Sequence, residues 1–136
     1  MGTIGTLGRD PALVVNSCAA NSTVLRGHAV TVDSSTKLAR VPGATTEHIY
    51  GVATSDADTD LLQQWVATGR GGYTVFIKPT VGVTWAVGDL VYFNSTALDG
   101  TWTNVVGTGN GATVQGWIVD NKADAFGLLE MAFTLY

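Results

Sequence analysis

Gly27-His28-Ala29-Val30-Thr31-Val32-Asp33-Ser34-Ser35-Thr36 is answered further along the chain by Gly88-Asp89-Leu90-Val91-Tyr92-Phe93-Asn94-Ser95-Thr96-Ala97. A second pair follows: Tyr50-Gly51-Val52-Ala53-Thr54-Ser55-Asp56-Ala57-Asp58 is answered by Gln115-Gly116-Trp117-Ile118-Val119-Asp120-Asn121-Lys122-Ala123-Asp124. Each copy reads as a glycine-led turn, a strand, a polar turn, and a second strand that itself contains glycine. Glycine inside a strand marks a bulge or a bend at a barrel corner. The structural turn positions are therefore Gly27, Gly51, Gly88, Asp89 and Gly116, the pair Gly51 and Gly116 standing within strands. Two such halves wrapped together predict a small Greek-key-like β-barrel, whose closure hides the strand edges.

Outward from the repeat, apolar segments of strand length recur at Leu13-Val15, Val24-Val32, Ile49-Ala53, Tyr73-Ile77, Leu90-Phe93, Val114-Val119 and Leu128-Leu135. Their separators are turn chemistry, with Gly supplying positive φ and Pro fixing it: Val41-Pro42-Gly43-Ala44, Gly69-Arg70-Gly71-Gly72, Lys78-Pro79, Asp99-Gly100 and the run from Gly107 to Gly111. One stretch departs from this pattern. Asp56, Asp58 and Asp60 offer N-capping carboxylates, Leu61, Leu62 and Trp65 share a helical face, and Gly69 stops the run, which predicts one short helix near residues 57–68. Residues 1–12, with Gly2, Gly5, Gly8 and Pro11, carry no periodicity and read as an extended N-terminal arm ahead of a single β-barrel domain at 13–136.

Composition agrees with an all-β domain. The 136 residues hold 19 Thr and 17 Gly against two Glu and three Lys; hydrophobic residues reach 46% and charged ones 13%, which excludes disorder and a long helical protein. The net charge of −4, with four Arg and three Lys scattered singly, leaves no basic stripe for phosphates, so neither nucleic acid nor an anionic membrane is expected as a partner. No apolar run approaches a spanning helix, and the first residues lack the pattern of a signal peptide.

Catalytic and metal constellations do not assemble. Asp56-x-Asp58-x-Asp60 opens like a calcium loop, but Leu61 stands where the loop needs Gly and Ala67 where it needs Glu, so helix capping is the better reading. His28 and His48 lie 20 residues apart without metal-ligand spacing, and Cys18 has no partner for a disulfide and no neighbouring His. Gly107-Thr108-Gly109-Asn110-Gly111 leads into a strand with no Lys-Ser/Thr after it, so it reads as a turn rather than a phosphate cradle. Trp65, Trp85, Trp102 and Trp117 invite sugar stacking, yet packing accounts for tryptophans more often. No catalytic residue, metal ligand or cofactor is assigned.

The order Arg26-Gly27-His28-Ala29-Val30, Ile49-Tyr50-Gly51-Val52-Ala53, Gly72-Tyr73-Thr74-Val75, Trp85-Ala86-Val87-Gly88-Asp89-Leu90-Val91-Tyr92 and Gly127-Leu128-Leu129-Glu130-Met131 resembles the capsid cement, or head decoration, proteins of tailed bacteriophages. The resemblance runs from about Ala20 to Tyr136. It implies a β-barrel of the β-clip or β-tulip kind, a homotrimer on the outer surface of the phage head at threefold and quasi-threefold positions, and the major capsid protein as partner. The first copy departs from it in having Gly27-His28 where the second keeps Gly88-Asp89, and the Asp56 to Thr68 segment is longer than a plain connection. The arm then becomes the capsid-binding element, Gly2, Thr3, Ile4, Gly5, Thr6, Leu7 and Gly8, adding as a strand to a neighbour's sheet edge. Two rivals remain at this point: a ligand-binding or enzymatic β-clip domain, and a sugar-binding module of a fibre or tail.

Overall fold

The computed structural model describes residues 12–15, 23–56, 66–69 and 74–133. They form ten short strands: β1 (Ala12–Val15), β2 (Ala29–Val32), β3 (Ala39–Arg40), β4 (Gly51–Ala53), β5 (Val66–Gly69), β6 (Thr74–Ile77), β7 (Leu90–Phe93), β8 (Trp102–Thr103), β9 (Gly116–Asp120) and β10 (Leu129–Phe133). All ladders are antiparallel, in two sheets of order β1-β5-β4-β2-β3 and β6-β10-β9-β7-β8. Adding five to every strand number of the first sheet gives the second. The duplication read from the sequence is thus a duplication of topology, and it holds to the residue: Ala29 pairs with Val52 and Val30 with Gly51 in one sheet, Leu90 with Trp117 and Val91 with Gly116 in the other.

Two expectations are corrected. The sheets are open and stacked, and neither closes into a barrel; the chain just past β6 meets β8 only through a single parallel bridge, Pro79 to Trp102. Each half completes its own five-stranded sheet, and Ala29 and Val52 of the first share one buried cluster with side chains of the second. Residues 66–68 are not helical but belong to β5, where Val66–Gly69 pairs with β1 and Val52–Ala53 with its other edge. Tertiary pairing of a β-branched segment outweighs the helical spacing ahead of it; residues 57–65 lie outside the described residues. The only helical element among the described residues is a 3-10 turn at Gly109–Ala112.

The polar turns also repeat atom for atom. Asp33 Oδ1 accepts from the N–H groups of Ser35 and Thr36 at 2.8 and 3.0 Å, and Asn94 Oδ1 accepts from Thr96 and Ala97 at 3.2 and 3.0 Å. These Asx turns hold Lys37 and Leu98, at equivalent places, in the left-handed region at φ 63° and 52°. The two N–H bonds hold the Asp33 carboxyl below its ordinary range; Asn94 does the same work without charge.

The strands' two faces decide where the core sits. Ala29, Ile49 and Val52 of the first half join Val75, Ile77, Val91, Phe93, Trp102, Ile118, Leu129, Met131 and Phe133 of the second in one buried cluster. The opposite face of the first sheet makes a smaller cluster of Val24, Val30, Ala39 and Ala53. Gly107 to Gly111, read as a turn, also ties the halves together: Asn110 N–H donates to the Thr45 carbonyl at 2.7 Å, Thr108 N–H donates to Ser95 Oγ at 3.1 Å, and the Asn110 amide donates to the Glu47 carbonyl.

Gly27 and Gly88 stand at equivalent turns with φ of 89° and 92°, but a Cβ at Gly27 would lie 2.6 Å from the Lys78 nitrogen, whereas one at Gly88 meets nothing within 4 Å. Gly88→Ala is therefore expected to cost only the backbone penalty, about 1 to 2 kcal/mol. Gly27→Ala should cost more, by the shift it forces where the halves meet; urea denaturation of the two variants checks the difference. Gly51 and Gly116 lie inside β4 and β9 rather than in turns.

Candidate functional site

The junction between the halves is built around Gly27. Its carbonyl accepts from the Lys78 N–H at 3.0 Å and from Trp102 Nε1 at 2.8 Å, while its N–H donates to the Ala53 carbonyl at 2.8 Å. One residue on, the departure between the two copies finds its explanation. Asp89 Oδ2 accepts from the Ala86 N–H at 2.9 Å and so caps the turn leading into β7. At the equivalent position His28 Nδ1 accepts from the Leu25 N–H at 3.2 Å. The imidazole replaces the carboxylate as acceptor, which requires the neutral ring with its proton on Nε2.

That requirement sets a pH dependence. Burial holds the His28 imidazole below its ordinary value of 6.5, with the Lys78 ammonium acting in the same direction and Asp99 and Asp56 opposing. The unfolded chain then binds this proton more readily than the folded one, so stability rises with pH across the interval. The contribution is complete above 6.5 and is lost as pH falls from there through the lowered folded value. Urea midpoints should drop over that window in the wild type and stay flatter in His28→Asn, whose amide oxygen keeps an acceptor that does not titrate. Equal slopes for both proteins would show that the ring does not carry the effect.

A cleft of about 550 Å³ opens beside the junction between the turn at Pro79–Val83 and Phe126. Its polar groups satisfy one another: Asn94 Nδ2 donates to Thr80 Oγ1 at 2.9 Å, Thr80 and Thr101 hydroxyls are 2.8 Å apart, and Thr101 Oγ1 donates to Asp99 Oδ1 at 2.6 Å. Such a chain fixes the turns. Asp99 serves as the acceptor of this chain: burial pushes its carboxyl up, and the Thr101 bonds outweigh that and leave it below its ordinary value. A smaller adjoining hollow holds Arg26, whose guanidinium lies over the Phe126 ring at 4.7 Å, and Lys78. Among the described residues no group of three or more His, Cys, Asp or Glu is placed to hold a metal.

What the described surface offers instead is apolar area. On the outward face of the second sheet Leu90, Trp117 and Phe76 are 47%, 44% and 46% exposed, and Phe126 and Val81 project at one end. The arm residues Gly2 to Gly8 lie outside the described residues. The model of one protein family, structural cement protein (E217 gp24/Pam3 gp6), matches residues 1–134. The chain belongs to this family of phage structural cement proteins. No curated protein and no solved structure matched it. As a structural protein of the phage virion, the cement protein sits on the capsid and associates with the shell. A cement role asks for contact surface, and the outward face of the second sheet offers one. No helix among the described residues is long and apolar enough to cross a membrane.

Proposed function

We propose that this cement protein binds the outer surface of the phage head as a homotrimer at threefold and quasi-threefold positions, contacts the major capsid protein there, and stabilises the shell. The observation that carries the reading is the extent of the family match: it begins at residue 1, so the arm with Gly2, Thr3, Ile4, Gly5, Thr6, Leu7 and Gly8 belongs to the unit the family shares. A glycine-spaced arm can add to a sheet edge with little sequence demand, and the stacked sheets supply a body to hold it. The sugar-binding alternative rests on Trp117, 44% exposed, since Trp102 is fully buried and Trp85 packs against the core.

The test is addition of the purified protein to heads that lack it. Saturable binding, density at the threefold positions in cryo-electron microscopy, and a higher temperature for genome release are expected. Failure to bind heads, together with binding to glycans, would move the protein to a fibre or tail.

A further inference from the structure

The run Gly107 to Gly111 ends in a reactive pair, Asn110 followed by Gly111, and no other asparagine of the chain precedes a glycine. In such a pair the glycine nitrogen can attack the asparagine side-chain carbonyl carbon, because glycine has no Cβ to block the approach. A C–N bond forms and ammonia leaves; water then opens the cyclic imide to aspartate, or to isoaspartate, whose backbone runs through the former side chain. The fold holds this pair in an unreactive geometry. Gly109–Ala112 form a 3-10 turn, in which the N–H of the buried Gly111 donates to the Thr108 carbonyl at 2.8 Å instead of lying against the neighbouring side chain. The side chain is held as well, since its amide donates to the Glu47 carbonyl while Asn110 N–H donates to the Thr45 carbonyl at 2.7 Å. Thr45 and Glu47 lie between β3 and β4, and the run lies at the equivalent place of the other half, between β8 and β9. The lock on Asn110 is therefore one of the ties between the halves, and cyclisation requires a local opening of that tie.

We propose that Asn110 is a self-modification site gated by this tie: the Gly111 nitrogen attacks only when the loop has left Thr45 and Glu47, and the product cannot return to them. Return is blocked twice over. The new carboxylate would set an acceptor against the Glu47 carbonyl, where the amide had supplied a donor. Isoaspartate also lengthens the backbone by a methylene in a loop without space for one. A Cβ at Gly109 would lie 2.2 Å from the Thr45 oxygen, and one at Gly111 would lie 2.4 Å from Ser95 Oγ. An opening of the two halves is thereby recorded in the chain as an irreversible step, and each chain so converted has lost this tie between its sheets.

The experiment incubates the full chain in mildly alkaline buffer and follows aspartate and isoaspartate at residue 110 by peptide mapping, with melting curves as the check on folding. In unfolding urea the wild type is expected to convert at Asn110 ahead of its other asparagines. The folded wild type should convert at least about tenfold more slowly, because the reaction tracks the open fraction. Gly109→Ala sets its methyl against the Thr45 carbonyl and should bring the folded rate toward the unfolded one. Should that variant fail to fold, Ser95→Ala decides: it removes only the acceptor of the Thr108 N–H, and its rate should exceed that of the wild type. Asn110→Asp is expected to show a lower urea midpoint and faster exchange of the residue 110 N–H. A residue 110 that stays asparagine in urea overturns the site. Equal rates in the folded and unfolded wild type, or a wild-type rate in the folded loop variants, overturn the gate. An Asn110→Asp chain with the midpoint and exchange of the wild type overturns the one-way step.

Discussion

Trp102→Ala is expected to lose about 3 to 5 kcal/mol of folding stability, a lowering of the melting temperature on the order of 10 to 20 °C for a domain of this size. The side chain is fully buried in the main cluster and meets Phe93 edge to face with ring centroids 6.4 Å apart. It also ties the halves together, since its indole N–H donates to the Gly27 carbonyl 75 residues earlier in the chain. Truncation leaves the backbone bonds of residue 102 to Lys78 and Thr80 in place, and the Gly27 carbonyl keeps the Lys78 N–H as donor. The loss is therefore chiefly cavity and packing, with one hydrogen bond added. Trp102→Phe separates these: most of the ring remains, the indole bond goes, and the cost should fall to about 1 to 2 kcal/mol. Urea denaturation of both variants reads the two values; a loss below 1 kcal/mol for alanine would mean that the sheets are not held together at this point.

The duplication was legible because turns impose chemistry. Gly27 and Gly88 must accept positive φ, and Asp33 and Asn94 must present a side-chain oxygen two residues ahead of a backbone N–H, so both leave marks in the sequence. Seven of the strands coincide with apolar runs for the same reason of burial. The two-residue strands β3 and β8 left no mark, since a pair of residues has no period. β5 was hidden by Leu61, Leu62 and Trp65, whose spacing extends a helical reading into a segment that its neighbours pull into a sheet. Closure against stacking was the harder question. It turns on which face of each half is covered, and alternation alone says only that faces exist. The same limit concealed the surface: Leu90 and Trp117 look like core residues, and only the register against Ala29 and Val52 reveals that the larger pair faces outward. The acceptor role of His28 leaves no mark in the sequence, because a neutral imidazole and a carboxylate are interchangeable as acceptors in space but not in sequence.

Deleting residues 2 to 11 should leave the melting temperature nearly unchanged and weaken attachment to heads on the order of 100-fold. The described core is assembled from residues between Val24 and Phe133, so the fold has little to lose with the arm. Attachment has more at stake. Ordering ten arm residues costs roughly 1 to 2 kcal/mol each in backbone entropy. Burial of Ile4 and Leu7 returns about 1.5 to 3 kcal/mol apiece, and strand addition returns about 0.5 to 1.5 kcal/mol per hydrogen bond. Side-chain burial alone falls short of the ordering cost and strand addition has to make up the rest, so one arm alone holds weakly. In the proposed trimer, once one arm is engaged the other two bind from the high local concentration that the body imposes, and avidity multiplies a weak contact by 100-fold or more. Removing all three arms loses that factor at once, whereas Ile4→Ala with Leu7→Ala should lose the same factor only if the two side chains are buried on the shell. Binding measured on bare heads, with heat resistance of the decorated particle beside it, distinguishes the cases. A truncated protein that binds and reinforces heads as well as the full chain would place the whole contact on the stacked sheets, and the arm would then serve only as a spacer ahead of β1.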